Sequence, residues 1–230
     1  MLDIPHAAPR EPSSKNTAAP ERYVSWVMTL VAITCIGLCA LVVTVEHSAQ
    51  ARERSNPPVL GSLPGFTLRD QTGSDFGTAQ LASKVWIANF IFTRCPTICP
   101  ALTGHMAELR DRTTEIPDLH LVSITVDPDH DTPQILADYG SKHGADPGRW
   151  SFLTGPFEQV KQAVEAGFKI SMGDARTAAD VSAVFHGSHF VLVDQQARIR
   201  GYHDVKDADG LAALLAQVDH LAERANMTEH

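Results

Sequence analysis

Residues Val85–Pro100 read VWIANFIFTRCPTICP, and the fold turns on how this stretch divides. Val85–Phe92 is almost continuously apolar, which predicts a strand buried on both faces rather than one with a wet side. Cys95 follows that strand, and Cys99 precedes a helix with Leu102, Met106, Leu109 and Ile116 along one side. A strand-to-helix junction is where α/β folds collect ligands. The positive end of the helix is expected to lower the pKa of a nearby thiol and favour its thiolate. Pro96 and Pro100 stiffen the loop between the sulfurs and remove two donors.

The same alternation continues outward. Leu119–Val126 reads as the next strand. Thr132-Pro133 opens a helix with a hydroxyl at the N-cap and proline at the first position, and Gly144 is its expected stop. Trp150–Leu153 is a short strand, followed by a helix carrying Phe157, Val160, Val164 and Phe168. His189–Val193 and Ile199–Tyr202 form a hairpin across Asp194-Gln195-Gln196-Ala197, and Leu211–Leu221 is a closing amphipathic helix. Strand–helix alternation ending in a hairpin and a helix argues for an α/β domain with a mixed sheet and flanking helices.

Ahead of this domain the composition changes. Residues 1–22 form a polar tail rich in Pro, Ala and Ser, expected to be disordered. Residues 23–45 contain no charge and reach roughly 34 Å as a helix, enough to span a bilayer core. Tyr23 and Trp26 sit where an interfacial aromatic belt belongs. The stretch exceeds a signal-peptide core, so a single uncleaved anchor is expected. Residues 46–60 are a polar tether, and residues 61–225 the soluble domain. The tail lacks the Arg-rich face of a transit peptide, which places the domain in a bacterial periplasm, held on the inner membrane with a cytoplasmic N-terminus. The net charge of −8 over 230 residues, without a Lys/Arg cluster, excludes generic nucleic-acid binding.

Four cysteines fall into two pairs of equal spacing, Cys35/Cys39 inside the apolar span and Cys95/Cys99 in the domain. The first pair lies on one helix face, where small residues serve helix packing and metal ligation is the alternative. The second pair admits three chemistries: a structural disulfide, a redox couple, or a soft-metal site. Structural zinc requires four ligands, whereas copper(I) accepts two or three. Any third ligand would then be one of eleven histidines, with His186, His189 and His105 as the candidates. The turn Asp127-Pro128-Asp129-His130-Asp131-Thr132-Pro133 reads as a capped strand-to-helix connection, with a hard-cation site as the alternative.

Three motifs in this order resemble the Sco/SenC family of copper-binding, thioredoxin-like proteins that assist cytochrome c oxidase assembly: Phe92–Pro100, Val126–Pro133, and His186 eight residues ahead of Asp194. The resemblance covers about residues 60–222. It implies a thioredoxin-like fold in which Cys95, Cys99 and His186 bind one copper ion, with Asp127 as an accessory residue. It also implies a metallochaperone that delivers copper to the oxidase subunit II copper site, served by an upstream copper donor and a thiol reductant. The alternative activity is a thiol–disulfide reductase that keeps the subunit II cysteines reduced. A peroxidase is a further candidate and would need an Arg, such as Arg94, beside the thiolate. The sequence departs from the family pattern at His130, where many relatives have Arg, and at Phe185 and Gly187 around His186.

Overall fold

A computed structural model describes residues 19–55, 57–96, 98–172, 188–206 and 208–228. The chain divides into two compact units, Met1–Ala51 and Arg52–His230.

The first unit carries helix α1 (Ala19–Ser55). It begins ahead of the expected span and runs on past Val45 into the segment read as a tether. Pro20 stands in its first turn, where the missing N–H had no helical partner to lose. Once nucleated, a helix propagates cheaply through a polar flank, and the Pro57-Pro58 pair cannot continue it. Ser25–Val43 is long and apolar enough to cross a membrane. Trp26, Leu30, Ile33, Ile36 and Leu38 are all exposed around it, the pattern of a helix whose solvent is lipid. Cys35 and Cys39 are exposed free thiols on this helix.

The second unit is built on one eight-stranded sheet. In chain order its elements are β1 (Gly61–Ser62), β2 (Thr67–Asp70), β3 (Asp75–Gly77), β4 (Val85–Ile91), α2 (Ile98–Arg112), β5 (Leu119–Thr125), α3 (Pro133–Lys142), β6 (Trp150–Thr154), α4 (Phe157–Lys161), β7 (His189–Val193), β8 (Arg198–Asp204) and α5 (Ala208–Thr228). The sheet order is β1-β8-β7-β4-β5-β6-β2-β3. Strands β4, β5 and β6 run parallel, with Ile91 opposite Thr125 and Ser123 opposite Phe152. Strand β7 pairs antiparallel with β4, Ala88 opposite Val191, so its first residues lie toward the end of the sheet where β4 finishes.

Every residue of β4, β5 and β6 is buried, as expected for central strands covered on both faces. Trp86, Phe90 and Phe66 gather around Phe168, with the Phe90 and Phe168 rings 5.1 Å apart and edge-on. Such pairs add about 0.5–1.5 kcal/mol each beyond the area they bury.

The sequence reading differs from the structure in three places. Strands β1 to β3 are short elements toward the margins of the sheet with a single buried leucine, Leu68, too little pattern for a period of two to register. The helix read across Phe157–Phe168 is α4 followed by a π-helical turn at Gln162–Gly167. Helix α2 begins at Ile98, so Cys99 lies within its first turn instead of ahead of it. Pro100 does not delay the start, because the first-turn N–H groups have no intrahelical acceptor in any case. The ends of α3 follow the expectation: Thr132 caps Ile135 N–H at 3.4 Å, and Gly144 beyond the helix has φ +69°. Arg110 of α2 closes the same end by donating to the His143 and Gly144 carbonyls.

Candidate metal centre

Parallel neighbours β4 and β5 end side by side, and their following loops share one crevice. The Val126 N–H donates to the Ile91 carbonyl at 2.8 Å, extending the pairing one step into that crevice. The loop after β4 carries Thr93, Arg94 and Cys95. The loop after β5 carries Asp127, His130 and Asp131.

Both sulfurs sit inside the protein rather than on a shallow surface, Cys95 6% and Cys99 1% exposed. Neither is in a disulfide. Cys95 N–H returns to the Phe92 carbonyl at 3.1 Å, closing a tight turn off the strand. One helical turn on, Cys99 N–H donates to Cys95 Sγ at 3.4 Å. The helix start thus supplies an amide to the first sulfur, as its unpaired N–H groups allow.

The expectation of a lowered thiol pKa fails at Cys99. Burial pushes that thiol up to about 12, and the neighbouring Cys95 and Asp131 push the same way against an opposing backbone hydrogen bond from Phe92. Removing water from around a would-be thiolate outweighs the partial charge of a helix end.

The acidic loop is internally engaged. Arg94 Nη2 lies 2.6 Å from Asp127 Oδ2. Asp131 is fully buried and accepts from Thr93 N–H at 3.0 Å, Thr93 O–H at 2.5 Å and Thr125 O–H at 2.6 Å. Asp127, His130 and Asp131 are close enough together to be a three-donor group, and neither cysteine belongs to it. Their carboxylates are spent on hydrogen bonds and an ion pair, as the reading of a structural turn expects. The guanidinium that a peroxidase would need is likewise committed, to Asp127.

Among the rival histidines, His105 faces Glu108 at 3.7 Å along α2. His189 is exposed at the start of β7, opposite Asp204. His186 lies outside the described residues, which resume at Ser188. The strand that follows it, β7, is hydrogen-bonded to β4.

Two residues that sequence reasoning passed over belong to this centre. Thr103 is fully buried and donates to the Cys99 carbonyl at 2.8 Å, and its Oγ1 lies 2.8 Å from the Tyr139 hydroxyl. The Tyr139 phenol is pushed up by burial, with Cys99, Cys95 and Asp131 adding to the effect while Thr103 opposes it. Thr103 reaches the Cys99 carbonyl within α2, but no local signal marks Tyr139, which meets Thr103 only across the contact between α3 and α2.

A family model for SCO1/SenC matches residues 58–223. The chain belongs to the SCO1/SenC family. It is 29% identical over 177 residues to a SCO1 protein homolog of Bacillus subtilis, covering 76% of this chain and 88% of that one. BsSco, a member of the Sco family of cytochrome c oxidase assembly proteins in which a disulfide switch has been identified, superposes with TM-score 0.64. The identity is 27%, over 73% of this chain and 97% of that one. Yeast Sco1 with copper bound superposes with TM-score 0.57 at 26% identity, over 70% of this chain and 90% of that one. The mixed sheet with flanking helices is therefore the thioredoxin-like fold of the SCO1/SenC family.

Proposed function

We propose that this chain is a membrane-anchored copper metallochaperone. In this reading Cys95, Cys99 and His186 hold one copper ion destined for the copper site of cytochrome c oxidase subunit II. The observation that carries it is the pair itself: two buried sulfurs one helical turn apart, with the Cys99 N–H on Cys95 Sγ, at the sheet end toward which β7 begins. Two soft thiolates with one imidazole suit copper(I), while hard cations prefer oxygen donors. The pairing of β7, the strand that follows His186, with β4, the strand that leads to Cys95, supports His186 as third ligand. Copper-bound yeast Sco1 supports the choice of metal.

Copper is cargo here. Loading must displace the proton that burial holds on Cys99, so uptake releases protons and strengthens as pH rises. A partner's cysteines then take the ion by stepwise thiolate exchange. A disulfide between Cys95 and Cys99 would abolish binding, so the site needs a reductant in an oxidising periplasm. Asp127 steadies Arg94 beside the pair. The α1 span anchors the domain to the inner membrane on the periplasmic side. A second reading, reduction of the subunit II cysteines, is favoured by the adjacency of the two sulfurs, and has no use for His186.

Copper content of the full-length protein in detergent, reconstituted anaerobically with copper(I), tests this. Wild type should hold one copper per chain, Cys95→Ser and Cys99→Ser should each lose it, and His186→Ala should bind at least tenfold more weakly. An unchanged affinity in His186→Ala removes the three-ligand site and leaves the reductase. Absence of copper binding by reduced wild type removes the metallochaperone altogether.

A further inference from the structure

Both cysteines are held from the same side of the crevice, by residues of the β5–α3 connection and of α3 itself. The first hold acts on the Cys95 arm. Thr93, two residues before Cys95, gives both its N–H and its O–H to the Asp131 carboxylate. Thr125 O–H also points there, because Thr125 Oγ1 already accepts from Asp127 N–H at 3.0 Å. Asp131 therefore faces three committed donors, with His130 Nδ1 at 3.0 Å as a fourth neighbour. Only an acceptor with two free oxygens fits that place.

The second hold acts on the Cys99 arm. Thr103 spends its hydrogen on the Cys99 carbonyl, so the hydroxyl of Tyr139 is the donor in the contact with Thr103. Tyr139 is itself wedged between His143, 4.9 Å away by ring centroid, and Phe152 at 6.1 Å. The turn carrying Cys99 is thus tied through Thr103 to a ring whose position is set by packing against β6.

We propose that Asp131 and Tyr139 are positioning residues for the Cys95–Cys99 pair, one for each arm, and together set the separation and orientation of the two sulfurs. The proposal rests on reading that pair as the copper-holding thiols. Neither residue touches the ion in this account. Each acts through a threonine, and their actions are separate because they enter from opposite ends of the loop.

The test has a readout that needs no copper. In metal-free full-length protein, Cys95–SH and Cys99–SH exchange with oxidised glutathione to form the Cys95–Cys99 disulfide and two reduced glutathiones, and the equilibrium constant reports how well the sulfurs are placed. Asp131→Asn puts an NH2 group against committed donors, and Tyr139→Phe removes one hydroxyl. Each should weaken disulfide formation roughly tenfold, the scale of one hydrogen bond to a charged or buried group, and the effects should multiply in the double variant. In protein loaded with copper(II) both should shift the copper(II)–thiolate charge-transfer band, and in protein loaded separately with copper(I) both should speed release of the ion to a chelator several-fold. Gln134→Ala, an exposed change on α3, should alter none of these. If Asp131→Asn fails to fold, Tyr139→Phe carries the test alone. An unchanged glutathione constant and an unchanged band, in variants with wild-type circular dichroism, overturn the proposal. A shifted constant in a protein that takes up no copper keeps the positioning role and rejects the copper reading instead.

Discussion

Cys99 sits where two physical effects oppose each other. A helix N-terminus stabilises a nearby negative charge by about 0.3–1 kcal/mol. Moving a thiol from 9.0 to about 12 corresponds to about 4 kcal/mol in the other direction, so desolvation prevails. In metal-free reduced protein at pH 8, the Cys99 thiolate should be about a thousandfold scarcer than that of an ordinary thiol. Iodoacetamide labelling followed by peptide mass spectrometry should show Cys99 alkylated far more slowly in the folded protein than in the same protein unfolded in urea. Labelling of Cys99 at the rate of a free thiol would contradict the buried geometry. The same effect has a stability consequence. The folded state holds the Cys99 proton more tightly than the unfolded chain does. The stability it contributes is therefore complete below pH 9 and is lost as pH rises toward 12. Urea midpoints measured at pH 8 and pH 10.5 should converge in Cys99→Ala relative to wild type. The spacing of the pair was legible at this scale. Its protonation was not, because burial is set by residues far away in sequence.

At the scale of elements, β5 shows how much a strand's identity leaves open. Its apolar run marks it as a buried strand, yet it carries His120 and Ser123 into the interior. His120 Nε2 contacts Ser151 Oγ at 2.9 Å, and its ring stacks on Phe76. Burial, aided by Lys84 and Arg149, pulls its pKa down to about 4. The unfolded chain thus binds this proton more readily than the fold between about pH 6.5 and pH 4. Stability should be full above pH 6.5 and fall as pH drops through that window, by at most about 3 kcal/mol. Urea titrations across the window should show a smaller acid loss in His120→Gln than in wild type, and an equal loss would place the acid sensitivity elsewhere. Helix α3 was legible from Thr132-Pro133 and Gly144, because caps are chemical signals confined to a few neighbouring residues. Helix α2 was misplaced at its start because proline was read as a boundary when the first turn tolerates it. The short strands β1 to β3 carry no sequence signal because they bury too few side chains to imprint a period.

At the scale of the molecule, the helix Ser25–Val43, long and apolar enough to cross a membrane, and the thioredoxin-like domain fall in two separate units. The helix leaves Leu30, Ile33 and Leu38 exposed, a surface that water would not tolerate and lipid would. Full-length protein should stay with the membrane pellet through an alkaline carbonate wash. Substituting Leu30, Ile33 and Leu38 together by Asp should release it, since each charge at mid-span costs about 3 kcal/mol on insertion scales. Retention of that triple variant would place the attachment outside the helix.

The sequence by itself determined a helix long and apolar enough to cross a membrane, the buried central strands, the hairpin, and a Cys-x3-Cys pair at a strand-to-helix junction. Each of these is written within one turn or one strand of neighbouring residues, where covalent spacing and hydrophobic period suffice. The tertiary structure alone decided which aspartate of the acidic turn is buried against Thr93 and Thr125, and that Tyr139 reaches Cys99 through Thr103. It also decided that the Cys99 thiol keeps its proton. These outcomes depend on which surfaces meet across the sheet and between α2 and α3. Desolvation and hydrogen-bond pairing are properties of that meeting, and no local stretch of chain encodes them.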